Sequence, residues 1–188
     1  MPSAAQHRER RRVLIVAYGN QSRRDDGVAF YIAQALAKRL DPDREVLLGQ
    51  DWETDQISVR CLHQLAPELV EEMVEHSSVI FIDAHVASAG WKPVSWHKLE
   101  AEYRPSMVSH HLNPSTLLAL CETLYGQAPK AVLLSIEGSD FDFGESLSER
   151  TAELAEQATE YLWIYLQRED TATEHRVPSQ NHKLSGER

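Results

Sequence analysis

Three clusters of side chains in this chain have the chemistry to hold a metal ion or move a proton: Asp25-Asp26, Asp83 with His85, and His110-His111. Asp83 directly follows Val79-Ile80-Phe81-Ile82, so it ends a buried strand. A carboxylate there is costly unless it is paired, hydrogen-bonded or bound to a cation. The plainer reading is a structural Asp that accepts N–H bonds from the next loop. Asp25 and Asp26 open a helical segment, where acids complement the helix dipole by about 0.3–1 kcal/mol. A cap needs one of them, which leaves the other to face a cleft. His110 and His111 precede another helix. One loop histidine says little, but a His converging with two Asp gives a mixed N/O donor set suited to zinc, nickel or cobalt-class ions. His85, two residues beyond Asp83, either joins that set as a fourth donor or turns away with its loop.

The elements that must position these groups follow from apolar periodicity. Arg12–Tyr18, Ser78–Asp83 and Ala131–Ile136 are near-continuous apolar runs, the pattern of strands buried on both faces. Glu45–Leu48 is predicted as a short strand and Val94–Leu99 as an edge strand. Helices are predicted over Val28–Leu40, Cys61–His76, a segment starting at Asn113-Pro114, and Ser148–Leu166. Alternating strands and helices imply an α/β three-layer sandwich, a twisted, largely parallel sheet of about five strands with helices on both faces. Ligands of such sheets bind outside the carboxyl ends of the strands, where the Asp25-Asp26 and Asp83 segments fall. Residues 1–11 are expected to be a flexible basic N-terminus, 12–166 the domain, and 167–188 a disordered tail.

Composition narrows the classes of function. The 188 residues carry 29 acidic and 19 basic side chains, a formal charge of −10, which disfavours nucleic-acid binding. No apolar run approaches the ~20 residues of a membrane span, and no apolar segment of a secretory signal follows the basic start. Cys61 and Cys121, both placed in helical segments, have no CxxC spacing and are expected to be buried free thiols in a reducing compartment. A cytoplasmic protein follows. The chain lacks GxGxxG after its first strand, a GxxxxGK[ST] phosphate loop, a GxSxG nucleophile elbow and HExxH. A phosphate ligand on the 19–27 loop would meet Asp25 and Asp26, which repel it.

Taken in order, the motifs resemble those of the [NiFe]-hydrogenase maturation proteases, endopeptidases that trim the C-terminal extension of the hydrogenase large subunit once nickel is installed. Val13–Tyr18 with Gly19-Asn20, then Arg24-Asp25-Asp26-Gly27-Val28, resembles the family's opening strand, Gly-x-Gly-Asn and Asp-Asp/Glu-Gly, with Ala17 in place of the first glycine. Ile80-Phe81-Ile82-Asp83-Ala84 is similar to its second motif. Ser109-His110 before Leu117-Leu118 is similar to its third, and Gly144-Glu145-Ser146-Leu147-Ser148 to its last. The likeness runs from Val13 to Leu166.

The resemblance implies that Asp26, Asp83 and His110 are the metal-binding positions, with His110 preferred to His111 by its distance from Leu117-Leu118. It implies a nickel ion that belongs to the substrate, with zinc or cadmium able to take its place. Asp26 and Asp83 are the implied catalytic carboxylates, by metal-activated water or as a carboxylate pair. The implied partner is the large-subunit precursor, met by a monomer away from membranes. The same three residues would also serve a non-catalytic nickel-binding chaperone or sensor.

Overall fold

The structure, a computed structural model, describes residues 12–103 and 112–171. Its elements in chain order are β1 (Val13–Tyr18), α1 (Val28–Leu40), β2 (Trp52–Glu53), β3 (Ile57–Leu62), α2 (Leu69–Met73), β4 (Ser78–Val86), β5 (Val94–Leu99), α3 (Pro114–Tyr125), β6 (Lys130–Gly138) and α4 (Glu149–Thr171). They form one six-stranded sheet in the order β2-β3-β1-β4-β6-β5. The four inner strands are parallel, and both outer strands, β2 and β5, run antiparallel to their neighbours.

The two faces of the sheet are covered differently. Ile15, Ala17, Ile80, Ile82, Leu134 and Ile136 point to one side, where they pack with Phe30, Ile32 and Leu36 of α1 and Leu154, Ala158 and Leu162 of α4. Leu14, Val16, Val79 and Phe81 point to the other, against Val70 and Met73 of α2 and Leu117, Leu118 and Cys121 of α3. Fully burying an aliphatic side chain stabilises by about 1.5–3 kcal/mol, which explains why the central strands read as unbroken apolar runs. The three-layer α/β architecture is therefore as the sequence implies. Helix α3 starts as expected, with the Asn113 side chain accepting from the Thr116 N–H at 2.9 Å and Pro114 in the first turn.

Several boundaries differ from the sequence expectation. The sheet has six strands rather than about five. Glu45–Leu48 is not a strand: Val46 plugs into the core, its carbonyl accepting from the Gln34 side chain, while Leu47 is exposed. The outer strand is instead Trp52–Glu53, which turns back on β3 through the Thr54 N–H bond to the Ile57 carbonyl. The helix expected over Cys61–His76 reduces to α2 at Leu69–Met73, and Cys61 lies in β3, half-buried rather than buried. The last helix continues past Leu166 to Thr171. Among the described residues no helix is long and apolar enough to cross a membrane.

Candidate active site

The loop after β1 is built so that two adjacent aspartates face in different directions. Gly19 has φ +145°, and a Cβ there would lie 2.1 Å from the Asp26 carbonyl oxygen, so only glycine allows this approach. The Asn20 N–H then donates to that same carbonyl, and a helical turn over Arg24–Gly27 carries the chain into α1. Neither aspartate caps α1 with its side chain.

Asp25 turns inward and is fully buried. Its carboxylate accepts from the N–H groups of Ser139 (2.9 Å), Asp140 (2.8 Å) and Ser148 (2.7 Å), and from the hydroxyls of Ser148 and Thr151, both at 2.8 Å. Burial alone would raise its pKa, but the bonds from Ser148, Ser139 and Asp140 outweigh it and hold the group down at about 2. Asp25 is thus a fixed anion that ties the Asp26 loop to the start of α4. Arg24 reinforces the tie through an ion pair with Asp140 and an N–H bond to the Gly144 carbonyl at 2.9 Å.

Asp26 is half-buried and makes none of these bonds; its charge acts instead on Asp83 of β4. Asp83 accepts from its neighbour's Ala84 N–H at 2.8 Å and from the Tyr18 hydroxyl. Burial pushes the Asp83 pKa up, the bonds from Tyr18 and Ala84 pull it back, and the charge of Asp26 adds to the rise, leaving it at about 7. The Tyr18 hydroxyl is in turn held well above its usual range by burial and by the Asp83 charge. A carboxyl poised near neutrality beside a second carboxyl can donate or accept a proton, or exchange its proton for a cation.

The register explains the meeting of Tyr18 and Asp83. Ala17 pairs with Ile82, so the next residues of β1 and β4 stand side by side on the α2–α3 face. Tyr18 escaped the sequence reading because nothing in its own neighbourhood signals a partner sixty-five positions away. His85 lies on the same face, its Nδ1 2.9 Å from Ser135 Oγ. His110 and His111 lie outside the described residues. Among the described residues no three His, Cys, Asp or Glu side chains group to hold a metal ion.

Beside the Asp26 loop, a cleft of about 230 Å³ opens between Asn20, Gln21, Phe30, Cys61 and His63 at the carboxyl ends of β1 and β3. The Cys61 thiol on its wall is no nucleophile near neutral pH: burial and the Asp51 charge push its pKa up to about 12.

The fold recurs in solved structures. The [NiFe] hydrogenase maturation protease HycI from Thermococcus kodakarensis aligns over 83% of this chain and 92% of its own, with TM-score 0.60 and 21% identity. The hydrogenase maturating endopeptidase HybD from Escherichia coli aligns over 84% and 93%, with TM-score 0.61 and 19% identity. A hydrogenase 2 maturation peptidase from a Thaumarchaeota archaeon aligns over 83% and 98%, with TM-score 0.53 and 18% identity. The chain has the fold of the hydrogenase maturation proteases. No family model matches the sequence, and no curated sequence is significantly similar to it. The fold thus survives at identities where sequence comparison finds nothing.

Proposed function

We propose that the protein is an endopeptidase that removes the C-terminal extension of a [NiFe]-hydrogenase large-subunit precursor after nickel insertion, reading the bound nickel through Asp26, Asp83 and His110. The observation that carries this reading is the Asp26–Asp83 pair: one carboxyl from the turn before α1 and one from within β4, close enough that the charge of Asp26 raises the pKa of Asp83. It lies in a fold shared with proteins named as maturation proteases of [NiFe] hydrogenases.

The chemistry of the pair suits a check on the substrate. Burial and the charge of Asp26 raise the Asp83 pKa to about 7, so near neutrality the group exchanges its proton readily. A cation brought by the substrate stabilises the charged form, so that proton leaves and both carboxylates become available as oxygen donors. A precursor without its metal offers no such compensation and leaves the two acidic groups opposing each other. For hydrolysis, a water between the carboxyls and the scissile carbonyl loses a proton to a carboxylate as its oxygen attacks the carbonyl carbon. The C–N bond then breaks and the leaving amine takes a proton. The substrate's nickel would polarise the same water or carbonyl. In this reading the enzyme acts as a monomer in the cytoplasm.

Intact-mass spectrometry tests it. The nickel-loaded large-subunit precursor from the same organism, incubated with the protein, is expected to lose one discrete C-terminal fragment. That loss is expected to vanish with Asp26→Ala. An unchanged mass with a stable complex would mean a nickel-dependent chaperone instead, and neither cleavage nor complex would reject the assignment.

A further inference from the structure

On the face of β4 that carries Asp83, the next residue outward is His85, about 7 Å along the strand. His85 is 7% exposed. Its Nδ1 bonds Ser135 Oγ, and Ser135 is itself the cross-strand partner of Asp83. Its Nε2 is buried and, among the described residues, has no hydrogen-bond partner. Buried polar atoms left unpaired are few in folded chains, and each calls for a cause. The hydrogen-bonding directions of the two ring nitrogens diverge widely, so with Nδ1 held by Ser135 of β6 the same group cannot serve Nε2.

The ring beside it belongs to Trp91, whose centroid lies 5.3 Å from that of His85 and 4.1 Å from that of His97. Trp91 is carried by the run Val86–Lys92, every residue of which is exposed. The run is secured where the Gly90 N–H donates to the Ala87 carbonyl and the Glu137 N–H donates to the Pro93 carbonyl. An exposed connection held in this way can move a single side chain without disturbing the sheet.

We propose that His85 is a substrate-binding residue: once Trp91 moves aside, Nε2 hydrogen-bonds the backbone of the peptide segment that is to be cut. This deepens the endopeptidase reading and rests on it. The chemistry selects a peptide group over an anion. A neutral imidazole offers Nε2 as donor or acceptor according to which way the Ser135 hydroxyl turns, so it can meet either an N–H or a C=O. Glu137, opposite His85 in the register, would repel a carboxylate or phosphate. The position one pleat beyond Asp83 places the contact next to the carboxyl pair rather than in a separate site.

Two substitutions separate binding from support. An Asn side chain can keep the bond that Nδ1 makes and has nothing at Nε2, whereas Gln reaches the Nε2 position and gives up the Nδ1 bond. Processing kinetics of the nickel-loaded precursor by the full chain are therefore measured for wild type, His85→Asn, His85→Gln, Trp91→Ala and the double variant His85→Asn with Trp91→Ala, each checked for folding by circular dichroism. The expected result is a KM raised about 3- to 10-fold in His85→Asn, with kcat changed far less, and a KM near wild type in His85→Gln. Trp91→Ala is expected to lower KM in the wild-type background and to have no effect on KM in His85→Asn. A His85→Asn protein with the wild-type KM, or a larger rise in His85→Gln than in His85→Asn, overturns the proposal and leaves the peptidase assignment standing. A wild-type chain that does not process the precursor overturns both.

Discussion

The Asp25 carboxylate and the Ser148 backbone N–H are 123 residues apart in the chain and 2.7 Å apart in the fold. Asp25 thereby joins the loop that presents Asp26 to the N-terminus of α4, across the carboxyl end of β6. Two adjacent acids have separate tasks as a result. One is locked as an interior anion among donors, and the other is left to the crevice. The lock depends on charge, since the Ser139, Asp140, Ser148 and Thr151 groups that meet the Asp25 carboxylate all donate to it.

Asp25→Asn should therefore destabilise the chain by roughly 2–3 kcal/mol at pH 7, because an amide brings two donors into a ring of donors. The pH dependence has a definite sign. The folded pKa of about 2 lies below the unfolded value of 3.8, so the group stabilises the fold above pH 3.8, and this contribution is lost as pH falls through 2. It amounts to roughly 2 kcal/mol. Urea unfolding between pH 5 and 2 should show a steeper fall for wild type than for Asp25→Asn, and parallel curves would contradict the assignment.

Asp83 titrates with the opposite sign. Its folded pKa of about 7 exceeds 3.8, so its contribution to stability is fully present below pH 3.8 and is lost as pH rises through 7. Asp83→Asn removes the buried charge and the repulsion from Asp26. It should be more stable than wild type at pH 8, by roughly 1–3 kcal/mol, and gain little at pH 4. It should also be inactive in processing. Thermal melts at the two pH values check the first statement and the mass assay the second; a variant that is both destabilised and active would remove Asp83 from the site.

How much of this was legible in the sequence depends on whether a signal is local. Asp83 announced itself because an apolar run ends in a charge, and the α/β layering followed from strands too apolar to face water. A helix over Cys61–His76 is expected because Leu62, Leu65, Leu69 and Met73 recur at helical spacing. Cys61 and Leu62 nevertheless extend β3 beside Ala17 and Tyr18 of β1, and pairing along the sheet outweighs that periodicity. The division of labour between Asp25 and Asp26 could not be read, since the donors that hold Asp25 lie more than a hundred residues away. Tyr18 was hidden for the same reason, its partner being set by the β1–β4 register.

Gly19→Ala tests the geometry of the loop itself. The added Cβ would fall 2.1 Å from the Asp26 carbonyl oxygen, a backbone atom that cannot step aside cheaply, at a φ of +145° that an L side chain rarely adopts. The loop must open and carry Asp26 away from Asp83. Processing should fall by at least about 100-fold, comparable with the loss caused by misplacing a catalytic group by about 1 Å. The chain should still melt cooperatively, since β1 and α1 keep their core contacts. Near-wild-type processing would mean that the position of Asp26 is unimportant.

Which histidine serves the proposed donor set is a matter for substitution. Helix α3 is fixed at its start by the Asn113 cap and packs Leu117 and Leu118 on the same sheet face as Asp83 and Tyr18. His110→Ala should abolish nickel-dependent processing, while His111→Ala should retain most of it. Because a metal donor and a proton carrier would both be lost with alanine, the informative measurement is nickel dependence. Precursor loaded with nickel and precursor lacking it should bind wild type with clearly different affinities, and His110→Ala with nearly equal ones. If His111→Ala instead erases that difference, the ligand is the second histidine and the spacing to Leu117-Leu118 has been misassigned by one residue.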